Sequence, residues 1–249
     1  MLRNAWVLFV AFVVTIPIAT TVIIIAPFRS LTRFMDWLIR LWARSFVAAA
    51  GIELSAENIE GIRRDERYIL VSNHHSYFDI PCILTAVRLP IRFMAKASLF
   101  KIPIFGWSMA RAGFIPIDRK NRRTAVKSFD LAAQRLRKGN TIVIFPEEGR
   151  SREWQMRPFQ RGAFLLALKS ELPLLPIAVA GTFDVFRVGA RRVTPGKVTI
   201  RVGTPIATAG LGLRHKDALA EQSRAQIEAM LYGSAPSESG ALAPSQPTA

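Results

Sequence analysis

Positions 4–28 carry no charged residue, and this limits what the chain can become more than any other feature, because so apolar a run belongs in lipid or in a core. The part from Trp6 to Pro27 exceeds the roughly 20 residues that a helix needs to cross the hydrocarbon layer. Arg3 precedes it as the basic start of a signal peptide would. The apolar part is longer than the roughly 7–15 residues of a signal core, however, and no small-x-small cleavage site closes it, so a retained anchor is expected. Pro17 should kink such a helix or split it into a shallow re-entrant hairpin, which leaves span and half-span both open. Arg29, Arg33, Arg40 and Arg44 follow directly, and the positive-inside bias puts everything after Phe28 on the cytoplasmic side.

Residues 30–50 read as a second helix, with Ser30 as N-cap and Gly51 just past its end. Arg33, Asp36, Arg40 and Arg44 recur on one face, and Leu31, Phe34, Leu38, Leu41, Trp42 and Phe46 on the other, a basic amphipathic pattern that suits the headgroup zone. Beyond Gly51 short apolar runs at 68–71, 91–94, 114–117, 141–145, 174–179 and 198–202 read as strands. Helical patterns fall at 76–87, 121–138, 160–172 and 216–231. Alternation of this kind predicts an α/β fold with a mixed, largely parallel sheet flanked by helices, preceded by the hydrophobic anchor and amphipathic helix. The expected organisation is an anchor with its interfacial helix at 1–50, a catalytic domain at 51–232 and a Gly/Ser/Pro/Ala-rich disordered tail at 233–249.

A net charge of +16 selects anionic partners: phosphorylated lipids, an anionic membrane surface, nucleic acid or an acidic carrier. Lys and Arg are spread along the chain and not gathered in one aromatic-studded stretch, so no nucleic acid is expected. Cys82 is the only cysteine, which excludes an internal disulfide, and its apolar surroundings read as core.

Two of the three histidines lie in Asn73-His74-His75-Ser76-Tyr77-Phe78-Asp79, at the end of the 68–71 run. An imidazole near a carboxylate is a general base at neutral pH, with the carboxylate fixing its tautomer. On a regular helix His75 and Asp79 would be neighbours at i and i+4, so spacing alone favours His75. Ser76 reads as a cap of the following helix. A second cluster, Phe145-Pro146-Glu147-Glu148-Gly149-Arg150-Ser151, also leaves a strand end, where α/β sheets place ligand sites, and the planar fork of Arg150 suits a phosphate. Gly113 to Arg119 has the same design, a strand delivering the pair Asp118-Arg119.

In this order the three clusters resemble the glycerolipid acyltransferase family, in particular the bacterial 1-acyl-sn-glycerol-3-phosphate (lysophosphatidic acid) acyltransferases. His74 through Asp79 reproduces the family's His, four residues, Asp signature. Ile117-Asp118-Arg119 is similar to its second block, Phe145 to Ser151 to its third, and Pro176-Ile177-Ala178-Val179 to its fourth. The stretches Met94-Ala95-Lys96, Ile102 to Gly106 and Phe159 to Phe164 fit between them, so that the likeness runs from about Tyr68 to Ile206.

The resemblance implies that His74, oriented by Asp79, takes a proton from a glycerol hydroxyl, which attacks an acyl thioester directly with no acyl-enzyme. It implies a phosphate site from Arg119, Glu147, Gly149, Arg150 and Ser151, with Glu147 orienting the turn. Asn73, Ser76, Lys96, Lys101 and Pro176 are secondary candidates. No metal and no cofactor are implied; the partners are anionic membrane lipids, lysophosphatidic acid, and acyl-CoA or acyl carrier protein as co-substrate. Glycerol 3-phosphate or another lysolipid is the alternative acceptor. One departure stands out: Glu148-Gly149 replaces the family's usual Gly-Thr, and an added carboxylate should repel a phosphate unless it points away or pairs with Arg150 or Arg152.

Three competing readings have sequence support. Gly106-Trp107-Ser108-Met109-Ala110 approximates a serine-hydrolase elbow, with Asp184 and His215 following in hydrolase order, though Ile102-Pro103 intervenes where a strand should deliver the serine. A membrane-anchored binding protein driven by charge is the non-enzymatic alternative. A metal site from His74, His75, Asp79 and Glu147 is conceivable by ligand type.

Overall fold

Because residues 69–202 are rich in short β-branched and apolar runs, their backbones pair and, with an edge strand at 52–57, form one seven-stranded sheet, ordered β1-β7-β6-β2-β5-β3-β4. The computed structural model describes residues 2–63, 65–118 and 122–233. In chain order the elements are α1 (Leu2–Ile25), α2 (Thr32–Ala50), β1 (Ile52–Glu57), β2 (Ile69–Ser72), α3 (Asp79–Ala86), β3 (Ile91–Lys96), α4 (Phe105–Ala112), β4 (Ile115–Ile117), α5 (Arg122–Arg137), β5 (Thr141–Ile144), α6 (Leu165–Ser170), β6 (Leu174–Ala180), α7 (Thr182–Phe186), β7 (Gly196–Val202) and α8 (Lys216–Tyr232). Every pairing is parallel except β6 with β7.

Strands buried on both faces read as nearly continuous apolar runs, and β2 and β5 do, with only Ser72 and Thr141 polar at their ends. Leu70, Val143, Ile177 and Ile200 turn toward α1, α2 and α3; Ile69, Val71, Ile142 and Ile144 turn toward α5, α6 and α8. Adjacent strands β2 and β5 continue in opposite directions, β2 through α3 to β3 and β5 through α6 to β6, which opens a crevice at their C-terminal ends. That crevice holds the residues described below.

Strand β1 was not expected, because as a mostly exposed edge strand, Ile-Glu-Leu-Ser-Ala-Glu, it shows no apolar run. Short helices α4 and α7 also escaped the periodicity, and the helix expected at 160–172 is a 3-10 turn, Arg161–Phe164, followed by α6. The expected helix at 76–87 begins only at Asp79. The tail from residue 234 lies outside the described residues.

At the N-terminus α1 runs unbroken through Pro17 and is not split into a hairpin. It packs along α2 and α4: Trp42 Nε1–H donates to Thr15 Oγ1 at 2.9 Å, and Val22 and Ile25 join the core beneath α3. The segment expected as an anchor therefore shares the core of the sheet. A 3-10 turn, Arg29–Leu31, precedes α2, whose N-cap is Leu31 with no side-chain cap, so Ser30 does not serve; Gly51 ends the helix at φ 68° as expected. Asp36 leaves the expected basic face and turns inward to Arg92, Nη2 to Oδ1 2.8 Å, while Arg92 Nε–H donates to Ala112 O. This buried pair ties α2 to β3 and to the end of α4, a contact costly to break from one side only. Phe34, Trp37 and Leu41 of α2 and Trp6, Leu8, Phe9 and Phe12 of α1 face outward, a larger apolar surface than soluble proteins leave bare.

Candidate active site

Beyond Ser72 the β2 backbone stops pairing with β6, and Asn73 continues the ladder with its side chain: Nδ2–H donates to Val179 O (3.0 Å) and Oδ1 accepts from Val179 N–H (2.8 Å). This buried amide stands in for a peptide group and fixes where the chain turns. The turn brings Asp79, fully buried at the start of α3, under His74, with Nδ1 to Oδ2 2.7 Å. The same Oδ2 accepts the N–H groups of His75 and Ser76, each at 2.8 Å, and Oδ1 accepts the hydroxyl of Thr182. With two backbone donors already on Oδ2, the proton between it and the imidazole belongs to Nδ1, leaving Nε2 as the basic nitrogen. His74 is slightly exposed and stacks on Phe145 with centroids 4.1 Å apart.

His75 is different. Its ring is buried between Trp154 and Phe183, Nδ1 lies 3.3 Å from the Asn73 amide, and Nε2 has no hydrogen-bond partner. Burial holds its pKa below the usual imidazole value, so it is a neutral core ring. The i, i+4 argument fails because residues 74–78 precede the helix.

Alongside, the turn after β5 holds the first turn in place. Glu147, 1 % exposed, accepts the His74 backbone N–H on Oε1 (2.7 Å) and the Arg157 N–H on Oε2 (2.8 Å), and the Ser151 N–H donates to His74 O at 2.9 Å. Burial pushes the Glu147 pKa up to about 7 against the opposing pull of those two donors. Arg150 places its guanidinium 3.3 Å over the Tyr77 ring, and its Nη1 has no hydrogen-bond partner. A cation held by an aromatic face with an unused donor is a ready anion ligand. Gly149 leaves room for the Arg157 guanidinium, 3.1 Å from where a Cβ would sit. Ser151 is occupied within the loop, its Oγ–H donating to Gln155 O.

Glu148 adopts φ 57°, a conformation that favours glycine, and its exposed side chain lines a separate cavity with Arg161, Lys169 and Lys216. Ser76 does not cap α3; its Oγ accepts from Phe78 N–H and donates to Phe186 O (2.7 Å). Lys96 and Lys101 are exposed, Lys96 at the same sheet end as the site, and Pro176 is buried within β6 beside Val71. Arg119 lies outside the described residues.

An apolar cavity of about 140 Å³ opens behind the ring stack. Phe93, which stacks on Phe145, lines it together with Phe114, Ile80, Leu84, Val22 and Trp42. Its two hydroxyls are both engaged, Thr15 by Trp42 and Ser108 by Phe105 O, so the wall offers carbon only. Ser108 therefore sits inside a helix, hydrogen-bonded to its own turn, and not on the strand-to-helix elbow a serine hydrolase requires. Burial raises the Cys82 thiol far above its ordinary range, which removes it as a nucleophile. Among the described residues no three His, Cys, Asp or Glu side chains are grouped for a metal ion. Thr182 and Trp154 escaped the sequence reading, and Tyr77 and Phe145 entered it only as members of their clusters, without a role; for Thr182 a hydroxyl just after an apolar strand was the only signal, and many threonines share it.

Residues 53–180 match the family model described as Acyltransferase. A chloroplastic 1-acyl-sn-glycerol-3-phosphate acyltransferase from Arabidopsis thaliana is 30% identical over 187 residues, 74% of this chain and 51% of the relative. The human 1-acyl-sn-glycerol-3-phosphate acyltransferase alpha is 30% identical over 222 residues, 89% of this chain and 76% of that protein. The chain spans about half the length of the chloroplastic relatives it matches. The crystal structure of PlsC, the 1-acyl-sn-glycerophosphate acyltransferase of Thermotoga maritima, superimposes with a TM-score of 0.79 at 25% identity, covering 92% of this chain and 95% of that one.

Proposed function

Given that the chain belongs to the acyltransferase family, we propose that it moves an acyl chain from a thioester, acyl-CoA or acyl carrier protein, to the sn-2 hydroxyl of 1-acyl-glycerol-3-phosphate, forming phosphatidic acid. The observation that carries this reading is the His74–Asp79 pair, with the underbonded Arg150 in the neighbouring turn and the apolar cavity behind the ring stack. Nε2 takes the hydroxyl proton as the oxygen attacks the thioester carbonyl. The tetrahedral intermediate expels the thiolate, and the imidazolium returns the proton to sulfur. Asp79, held by its donors, keeps the ring oriented and faces the imidazolium that forms. A positioned base of this kind contributes about 10²–10⁴ in rate. Arg150 and Arg119 take the acceptor phosphate, and the cavity takes an acyl chain. The reaction needs no metal or cofactor.

The outward apolar faces of α1 and α2 support a membrane-associated enzyme, and our reading has both helices lying in one leaflet against the domain with the catalytic crevice on the cytoplasmic side. The test is an assay of detergent-solubilised protein with a panel of lysolipids, glycerol 3-phosphate and both thioester donors. Thiol release with lysophosphatidic acid is expected, and none from any pair would defeat the reading.

A further inference from the structure

Acyl transfer of this kind brings two anionic substrates to one histidine, and their charges need separate seats. Arg150 is one. A second basic site adjoins the Ser76 end of the His74 turn, outside the four blocks. There, a pocket of about 410 Å³ is lined by Phe183, Asp184, Arg187, Arg191, Arg192 and Thr194. Three exposed guanidiniums face one carboxylate, a net charge favouring a polyanion, and Phe183 supplies an aromatic wall with Arg187 5.7 Å from its ring centre.

The pocket is built, not draped. Asn4 grips its loop twice, Nδ2–H to Arg191 O and Oδ1 from Val193 N–H, and the Thr194 N–H closes onto Val185 O at 2.9 Å. It is also tied to the catalytic turn, since Arg187 pairs by a β-bridge with Ser76, whose own N–H holds Asp79. A group seated there lies beside the turn that carries His74.

We propose that this pocket binds the nucleotide phosphates of a coenzyme A thioester, with the base against Phe183 and the pantetheine arm leading past Ser76 to His74. The proposal rests on the acyl-transfer reading and names the donor that reading leaves open. Arginine forks match phosphate oxygens, and the aromatic wall suits a purine; an acidic protein carrier needs no ring.

The experiment uses the solubilised full chain with the double substitution R191S/R192S, which spares Arg187 and its bridge to Ser76. Coenzyme A is titrated calorimetrically into both proteins, and turnover is measured with acyl-CoA and with the same acyl group on pantetheine. Affinity for coenzyme A and KM for acyl-CoA should both worsen about tenfold, the scale of a partly screened phosphate contact. KM values for acyl-pantetheine and for the lysolipid should stay within about twofold. Unchanged coenzyme A affinity overturns the proposal whether or not the protein turns over, as does an equal change with both donors, or a loss of binding to anionic vesicles with KM for acyl-CoA intact. A protein that releases no thiol from any donor yet loses coenzyme A affinity on substitution would keep the pocket and remove the acyl-transfer reading.

Discussion

The turns that leave β2 and β5 stand side by side at one end of the sheet, yet they are finished differently. In the first, from Asn73 to Asp79, both carboxylate oxygens of Asp79 are engaged and the Asn73 amide completes the ladder, so His74 has one orientation. In the second, from Phe145 to Ser151, Glu147 is saturated, but Arg150 keeps an unused donor and Glu148 sits in a strained backbone region. Proton transfer needs a base fixed in angle and tautomer, and ligand capture needs a donor still unsatisfied. The two turns divide those requirements, with Glu147 as the strut between them.

The largest effect expected of this division is a contrast between neighbours. His74→Ala should lower kcat by about 10²–10⁴ with the fold intact, because only Nε2 of that ring is free to exchange a proton. His75→Ala should leave most turnover and instead lower stability by about 2 kcal/mol, as a buried ring between Trp154 and Phe183 is lost. Comparable losses of kcat from both substitutions would sink the assignment.

The strut predicts a pH signature. Glu147 is held near 7 in the fold against an ordinary 4.5, so the folded state binds this proton more tightly than the unfolded chain does. Its contribution to stability is fully present below pH 4.5 and is lost as pH rises through about 7, on the order of 3 kcal/mol across that window. Glu147→Gln cannot titrate, so the difference in urea midpoint between native protein and variant should slope between pH 4.5 and 8. Parallel curves would mean that Glu147 is not the buried group the turn makes it.

How much of this was readable beforehand follows the range of the interactions. The strands of the central sheet and both turns declared themselves through local pattern, and the outward apolar helices did so by composition. The choice between His74 and His75 was not local, because it depends on where α3 starts, and that depends on Asp79 taking up N–H groups that a helix beginning at 76 would have used differently. Edge strand β1 has no apolar run because its outer face meets solvent, and it exists only through its pairing with β7, some 140 residues away in sequence. The inward turn of Asp36 likewise required Arg92, on a strand no helical wheel contains.

Thr182 tests the same long-range logic at the next scale down. Its hydroxyl holds the Asp79 oxygen that His74 does not use, so it positions the pair and touches no substrate. Thr182→Val should cost about tenfold in kcat with KM unchanged, the value of one hydrogen bond to a buried charge. Thr182→Ser should restore kcat; a serine variant no better than valine would assign the effect to packing.

The smallest effect separates strain from function in the second turn. Glu148→Gly relieves a φ of 57° that costs a side-chain-bearing residue about 1 kcal/mol, so the urea midpoint should rise accordingly, less whatever glycine adds to the entropy of the unfolded chain. Because the Glu148 side chain lines the cavity of Arg161, Lys169 and Lys216 and Arg150 stacks elsewhere on Tyr77, KM for the acceptor should change by less than about twofold. A large fall in that KM would show that the carboxylate does oppose the incoming phosphate, and the second turn would then be tuned for weak binding as well as for openness.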